Sequence, residues 1–274
     1  MPESATAASD SEREAETMPT MGFLDHLEEL RKRLINSIVA VVVGMLACWG
    51  FRERIYDFMQ RPIVDVLSKH NLGTKLSYLN PTDPFSLYMK IAALCGLFLT
   101  SPYVLYQVWM FISPGLYRRE KKYVVPFMIS TISLFVLGGY FGYKIAYPRA
   151  LDVLIVGFGR QFQPMITIGE YTQLFLTIIL GMGLIFEMPV IVFFLAFLGV
   201  LSPGFMLQNF RYAILLIFIL AAIVAPPDLV SMCVFAAPMV ALYGVSVGVA
   251  YLVHPKQREK RLEKQAQKEK QAQS

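Results

Sequence analysis

Phe23-Leu24-Asp25-His26-Leu27-Glu28-Glu29-Leu30-Arg31-Lys32-Arg33-Leu34 joins a polar amino-terminal tail to the first long apolar run, and its reading decides the fold. Phe23, Leu27, Leu30 and Leu34 recur at helical spacing and fall within about 60° of one another at roughly 100° per residue. The stretch therefore predicts an amphipathic helix whose apolar seam suits a membrane surface. Glu28 stands four residues before Lys32 and Glu29 four before Arg33, the favoured order for ion pairs along a helix. These carboxylates are either surface partners of their own helix or acceptors for something that arrives at the membrane.

Of the 274 residues, 55% are hydrophobic and 16% charged, far more apolar material than one soluble core requires. An integral membrane protein follows. Residues 1–20 carry Glu3, Asp10, Glu12, Glu14 and Glu16 against Arg13, with neither a basic n-region nor an early apolar segment, so they read as a solvated acidic tail and not as a cleavable signal. Cys48, Cys95 and Cys233 are far apart and embedded in apolar sequence, which fits neither a disulfide framework nor a metal site; all three read as small core residues. The net charge of +5 gathers in patches beside apolar runs and lacks stacking aromatics in a groove-like array, which argues against a nucleic-acid partner. No nucleophile and base pair, metal spacing or phosphate-cradling loop appears, so no enzyme, cofactor or metal is expected.

Apolar runs at about 34–51, 86–112, 123–145, 171–201, 211–225 and 229–253 predict six transmembrane helices in an all-α, polytopic domain over 21–253. A basic tail occupies 254–274. With both termini in the cytoplasm, sixteen Lys and Arg lie inside and nine outside, the bias expected of cytoplasmic loops. The segment from Arg52 to Pro84 predicts short amphipathic helices on the outer surface, interrupted at Pro62. Thr82-Asp83-Pro84 offers a helix start. Pro102 removes a donor from the carbonyl of Phe98, which predicts a bend. Trp109 and Tyr106 suit an interfacial belt, and Tyr147-Pro148 is expected to end the third span, with a loop-like stretch to Glu170. Gly138, Gly139 and Gly142 allow close helix approach.

The cytoplasmic connection Leu116-Tyr117-Arg118-Arg119-Glu120-Lys121-Lys122 sets one carboxylate among four bases. Its plain reading is a positive clamp on the inner membrane face. Counted with the carboxylates before Leu34, however, Glu120 makes a second isolated anion at the same surface, and two anions could receive two adjacent cations. Glu187, in Phe186-Glu187-Met188-Pro189, is the acid in mid-span, where an ionised carboxylate costs on the order of 3 kcal/mol on insertion scales unless it meets a cavity or partner. Pro189 frees the carbonyl of Ile185 beside it. Ser202-Pro203-Gly204 repeats the Ser-Pro-Gly of residues 113–115 as a helix start. The fifth run spans roughly 21 Å against a hydrocarbon core of about 30 Å, ends at Pro226-Pro227, and leaves Asp228 to cap the sixth helix.

Five motifs in this order resemble the TatC family, receptor subunits of the twin-arginine protein translocase. They are His26 to Leu34, Pro62, the stretch Tyr106 to Pro114 with Leu116 to Glu120, Phe186 to Val190, and Pro226-Pro227-Asp228; the resemblance covers about residues 22–253. It implies a concave, glove-like six-helix bundle in the inner membrane of a prokaryote. The bundle would bind the Arg-Arg signal peptides of folded cargo, recruit TatA and TatB-type single-span proteins and other TatC copies, and use the protonmotive force. It further implies that Glu29 and Glu120 hold the signal arginines, with Arg31 and His26 beside that site. Glu187 and Pro189, Pro62 and Asp228 match the partner and intramembrane positions. Guanidinium forks pair bidentately with carboxylates, which lysine does not imitate, so two carboxylates would select Arg-Arg. The chain departs from the family pattern at Ala225 and Met232, where hydroxyl and polar residues are common; Ser231 or Gln173 would serve a polar partner residue instead. From the residues alone, a surface role is expected for His26. The competing readings are a proton-coupled small-solute transporter using Glu187, opposed by the lack of an internal repeat, and an insertase with no preference for paired arginines.

Overall fold

The computed structural model describes residues 23–70, 76–112, 124–159, 162, 165–197, 199–226 and 228–253. These are almost entirely helical; the β-like pairing among them is an isolated bridge between Ser77 and Thr167. The tails 1–20 and 254–274 and the connection holding Glu120 lie outside the described residues.

Helix α1, Phe23–Trp49, fuses the amphipathic stretch and the first span into one rod without a break at Leu34. It packs along α3, Asp83–Ile112. The sequence-level reason is small side chains. An ideal Cβ on Gly96 would stand 2.4 Å from the Met45 backbone nitrogen, and one on Gly44 would stand 2.8 Å from the Gly96 carbonyl oxygen. The two backbones thus meet directly, in the manner of small-residue contacts in membranes.

Helix α2, Arg52–Lys69, lies between them in sequence and runs unbroken through Pro62, which corrects the expected interruption. Pro62 takes the N–H away from the Phe58 carbonyl, and the Tyr143 hydroxyl donates there instead, at 2.7 Å. Tyr171 donates to the next carbonyl, Met59, at 2.7 Å. Met59, Ile63, Val66 and Leu67 bury the inner face of this helix in the core.

The start of α3 follows the expected signal in altered form. The Thr82 carbonyl accepts the first helical bond from Ser86, while the Asp83 carboxylate turns back to accept from the N–H groups of Leu79 and Asn80. Pro102 lies inside the helix, and the Ser101 hydroxyl donates to the freed Phe98 carbonyl at 2.8 Å.

Helix α4, Val124–Phe141, does not stop at Tyr147-Pro148. It widens into π geometry over Gly142–Ala146, continues as α5, Tyr147–Leu151, and widens again over Asp152–Phe158. The Tyr147 N–H reaches five residues back to Gly142, so the missing donor of Pro148 falls where the register has already loosened. This overturns the loop expected after residue 148. Fully buried Tyr147 locks the segment, with Tyr171 and Phe175 edge-on to its ring at 5.7 and 5.1 Å. Helix α4 packs against α6, Ile168–Ile185, where a Cβ on Gly138 would lie 2.5 Å from the Met182 carbonyl oxygen.

The fourth apolar run is two helices. After α6 come a turn at Phe186–Glu187 and α7, Met188–Phe197. Ser202 then caps α8, Pro203–Gln208, accepting from the Phe205 N–H at 3.2 Å, as its Ser-Pro-Gly signal predicts. Helix α9, Phe210–Val224, has 15 residues and is the fifth apolar run, shorter than a full span. Asp228 caps α10, Leu229–Val253, accepting from Ser231 at 2.7 Å. Among the described residues, five stretches are long and apolar enough to cross a membrane: Asp25–Trp49, Asp83–Phe111, Met128–Phe158, Ile168–Phe197 and Leu229–Leu252. With α9, six apolar segments result, as the sequence predicts.

Two further expectations change. Trp109 is buried, donating its indole N–H to Thr131 at 3.3 Å with Phe194 edge-on at 5.7 Å, so it belongs to the core and not to an interfacial belt. Cys48 is buried and Cys95 half-buried, but Cys233 is exposed and no core residue.

Candidate signal-binding and intramembrane sites

The first site is built where α1 crosses the far end of α3. The seam of α1 that faces α3 carries His26, Glu29 and Arg33, one turn apart. The His26 ring stacks on Phe111 with centroids 4.4 Å apart, and His26 is half-buried, which corrects the expected surface role. Four residues back along α3, buried Gln107 accepts from Arg33 Nη1 at 3.0 Å. Arg33 Nη2 donates to Glu29 Oε1 at 3.3 Å, the along-helix pair read from the sequence. Glu29 Oε2 and Arg33 Nε are buried without a hydrogen-bond partner among the described residues. Oε2 keeps its acceptor capacity, and a donor meets it once the side chains covering it give way. Arg31 and Glu28 point away from this cluster, exposed.

Of the sequence candidates, the structure therefore brings Glu29 and His26 onto one seam and leaves Arg31 off it; Glu120 is outside the described residues. Sequence reading missed Gln107 and the bridging role of Arg33. A lone buried glutamine inside the apolar run Tyr106 to Ile112 was the available signal, since such a group needs a partner.

The second site is the break between α6 and α7. The Glu187 carbonyl begins α7 by accepting from Val190 and Ile191 at 3.0 Å each, which places its side chain at the interruption that Pro189 enforces. The side chain is buried, and Oε1 has no hydrogen-bond partner among the described residues. At the start of α10, Asp228 Oδ2 and Ser231 Oγ are likewise buried and without a hydrogen-bond partner among the described residues, whereas Gln173 is exposed. Pro62 is buried within α2, with no polar group to offer.

Membrane-length helices that enclose unsatisfied carboxylates, with no cluster of metal-ligating residues among the described residues, define a polytopic helical membrane protein. The family model described as Sec-independent protein translocase protein (TatC) matches residues 25–238, and the chain belongs to that family. It is 58% identical over 255 residues to the Sec-independent protein translocase protein TatC of Koribacter versatilis, covering 93% of this chain and 94% of that one. The protein of the same name from Carboxydothermus hydrogenoformans is 37% identical over 238 residues, covering 86% and 96%. A solved structure described as the crystal structure of the twin arginine translocase receptor TatC superposes with a TM-score of 0.74 at 33% identity, covering 83% of this chain and 99% of that chain. The chain is thus a multi-pass protein of the translocase and not an enzyme; this rests on family membership.

Proposed function

We propose that this chain is the signal-reading subunit of a twin-arginine translocase: it binds the Arg-Arg signal peptide of folded precursors at the cytoplasmic membrane face, with both of its own termini on that side. The carrying observation is the Glu29 carboxylate, held on the α1–α3 seam with Oε2 buried and unsatisfied. A guanidinium satisfies such an oxygen directionally, and Glu120, on the connection that follows α3, supplies the second carboxylate. TatA and TatB-type single-span proteins and further copies of this chain complete the complex, and the protonmotive force drives transport. The unsatisfied polar atoms of Glu187, Asp228 and Ser231 favour intramembrane contacts with polar partner residues over a small-solute pathway.

The test is binding of a synthetic signal peptide to the detergent-purified full chain, comparing Arg-Arg with Lys-Lys. The wild type is expected to prefer Arg-Arg, and Glu29→Ala and Glu120→Ala each to lose that preference while the weak Lys-Lys binding stays almost unchanged. Equal losses for both peptides would overturn the carboxylate site.

A further inference from the structure

Resting on that reading, we infer that Arg33 and Gln107 set the specificity of the Glu29 site: they cancel its charge and fix its orientation, leaving one directional acceptor that a guanidinium satisfies and an ammonium does not.

Three observations carry this. First, Arg33 is tied at both ends. Nη2 meets Glu29 Oε1 on its own helix and Nη1 meets Gln107 Oε1 on α3, so the guanidinium is not the swinging partner of an ordinary surface pair. Gln107 is 3% exposed, which removes water as a competitor for that bond. Second, the pair is one-sided. A guanidinium and a carboxylate can form two parallel bonds, yet one is made here, at 3.3 Å, and Oε2 of Glu29 stays unsatisfied. A carboxylate has roughly four lone-pair sites, so holding Oε1 does not block Oε2. Third, the cluster is clasped. His26 on Phe111 and Arg33 on Gln107 are two α1–α3 contacts, and Glu29 lies between His26 and Arg33 on the same face of α1.

The electrostatic consequence is a filter. A bare carboxylate near the membrane surface attracts any cation by a point-charge term that lysine and arginine share, falling with distance and screened by salt. With Arg33 bonded to it, Glu29 is part of a neutral pair, and that shared attraction is largely gone. What remains is the buried lone pair of Oε2, whose satisfaction depends on geometry. A planar fork fixed by its stem meets that demand at lower entropic cost than a strongly hydrated ammonium. Arg33 therefore lowers the affinity of the site for cations in general and raises its discrimination between them. Gln107 acts through Arg33 as a positioning residue.

The experiment measures Arg-Arg and Lys-Lys peptide affinities of the full chain in wild type, Glu29→Ala, Arg33→Gln and Gln107→Leu. Thermal unfolding in detergent serves as the control for folding. Arg33→Gln removes the charge and keeps an amide near Glu29; Lys-Lys binding is expected to tighten more than Arg-Arg binding, shrinking the Arg-Arg to Lys-Lys ratio by about threefold to tenfold. Gln107→Leu leaves every charge in place and frees Arg33 to turn; the same ratio is expected to fall because Arg-Arg binding weakens. The two variants thus move one ratio by opposite routes. A wild-type ratio in both folded variants, alongside loss of preference in Glu29→Ala, would overturn the filter while leaving the Glu29 site standing. No preference in the wild type would overturn the site itself and the filter with it.

Discussion

The hydroxyl of Tyr143 donates to the carbonyl of Phe58 at 2.7 Å, across 85 positions of sequence, and so replaces the N–H that Pro62 lacks. The two residues also stack, with ring centroids 4.3 Å apart and an interplanar angle of 13°. The outer helix α2 is therefore fastened to the membrane helices at the one place where its own ladder is interrupted.

Tyr143→Phe keeps the stacked ring and removes the donor. A loss of about 0.5–1.5 kcal/mol is expected, the net worth of a part-buried hydrogen bond. In a Pro62→Ala background the backbone N–H returns, and the same change should cost much less. Unfolding of the four proteins of this double-mutant cycle in detergent checks the coupling; equal costs in both backgrounds would separate the tyrosine from the proline.

Gly96→Ala is expected to force α1 and α3 apart, because the added Cβ has backbone and no flexible side chain in its way. A destabilisation of about 1–3 kcal/mol should follow, with weaker Arg-Arg discrimination because Arg33 and Gln107 face each other across the same seam. Gly248→Ala meets nothing within 4 Å and should be silent in both measurements. Similar behaviour of the two variants would mean that the close approach does not set the register.

Cys48 on α1 and Cys95 on α3 are free thiols placed near one another beside that same contact. Treating membranes with molecular oxygen and a copper–phenanthroline catalyst should join them, each thiol losing a proton and an electron to the oxidant. Mass spectrometry after alkylation would then find the Cys48–Cys95 peptide linked and exposed Cys233 alkylated. Alkylation of all three cysteines after oxidation would show that α1 and α3 are not in this register in the membrane.

These residues also show which parts of the molecule were legible in the sequence. The apolar runs, the short fifth span and the caps at Ser202 and Asp228 were readable because each is fixed by neighbours within a few positions. The continuity of α2 and of the third span was not. Proline predicts a stop when its helix is considered alone, and here the missing donors are met by Tyr143 from another helix or absorbed by a π turn. Glu29 with Arg33 was readable as a local pair, while its extension to Gln107 depends on how α1 lies against α3, which no local pattern states. Trp109 failed for a related reason: its position near a span end fits a belt, and Thr131 on α4 supplies the acceptor that lets it be buried.

Glu187→Leu tests the second site. Replacing a buried carboxylate whose Oε1 lacks a partner with an apolar side chain of similar size removes a desolvation cost, so stability should hold or rise by about 1 kcal/mol or more. Arg-Arg peptide binding should be unchanged, and transport of a folded precursor in membrane vesicles should fall severely. Loss of membrane insertion or of thermal stability would assign Glu187 to packing.

Helix α1 touches the remaining chain chiefly through α3, and only 6% of its most apolar window is buried. This bears on how the protein is made. The ribosome delivers α1 well before α3, its most extensive partner among the described residues, so it must rest in lipid as a lone span, held by its own hydropathy. Its smooth outer surface of Leu, Ile and Val is suited to that interval. When α3 emerges, Gly44 and Gly96 offer a flat landing, and the polar seam of Glu29, Arg33 and Gln107 forms in the same docking event. This polar seam thus comes into being early in synthesis, before the carboxyl-terminal helices exist.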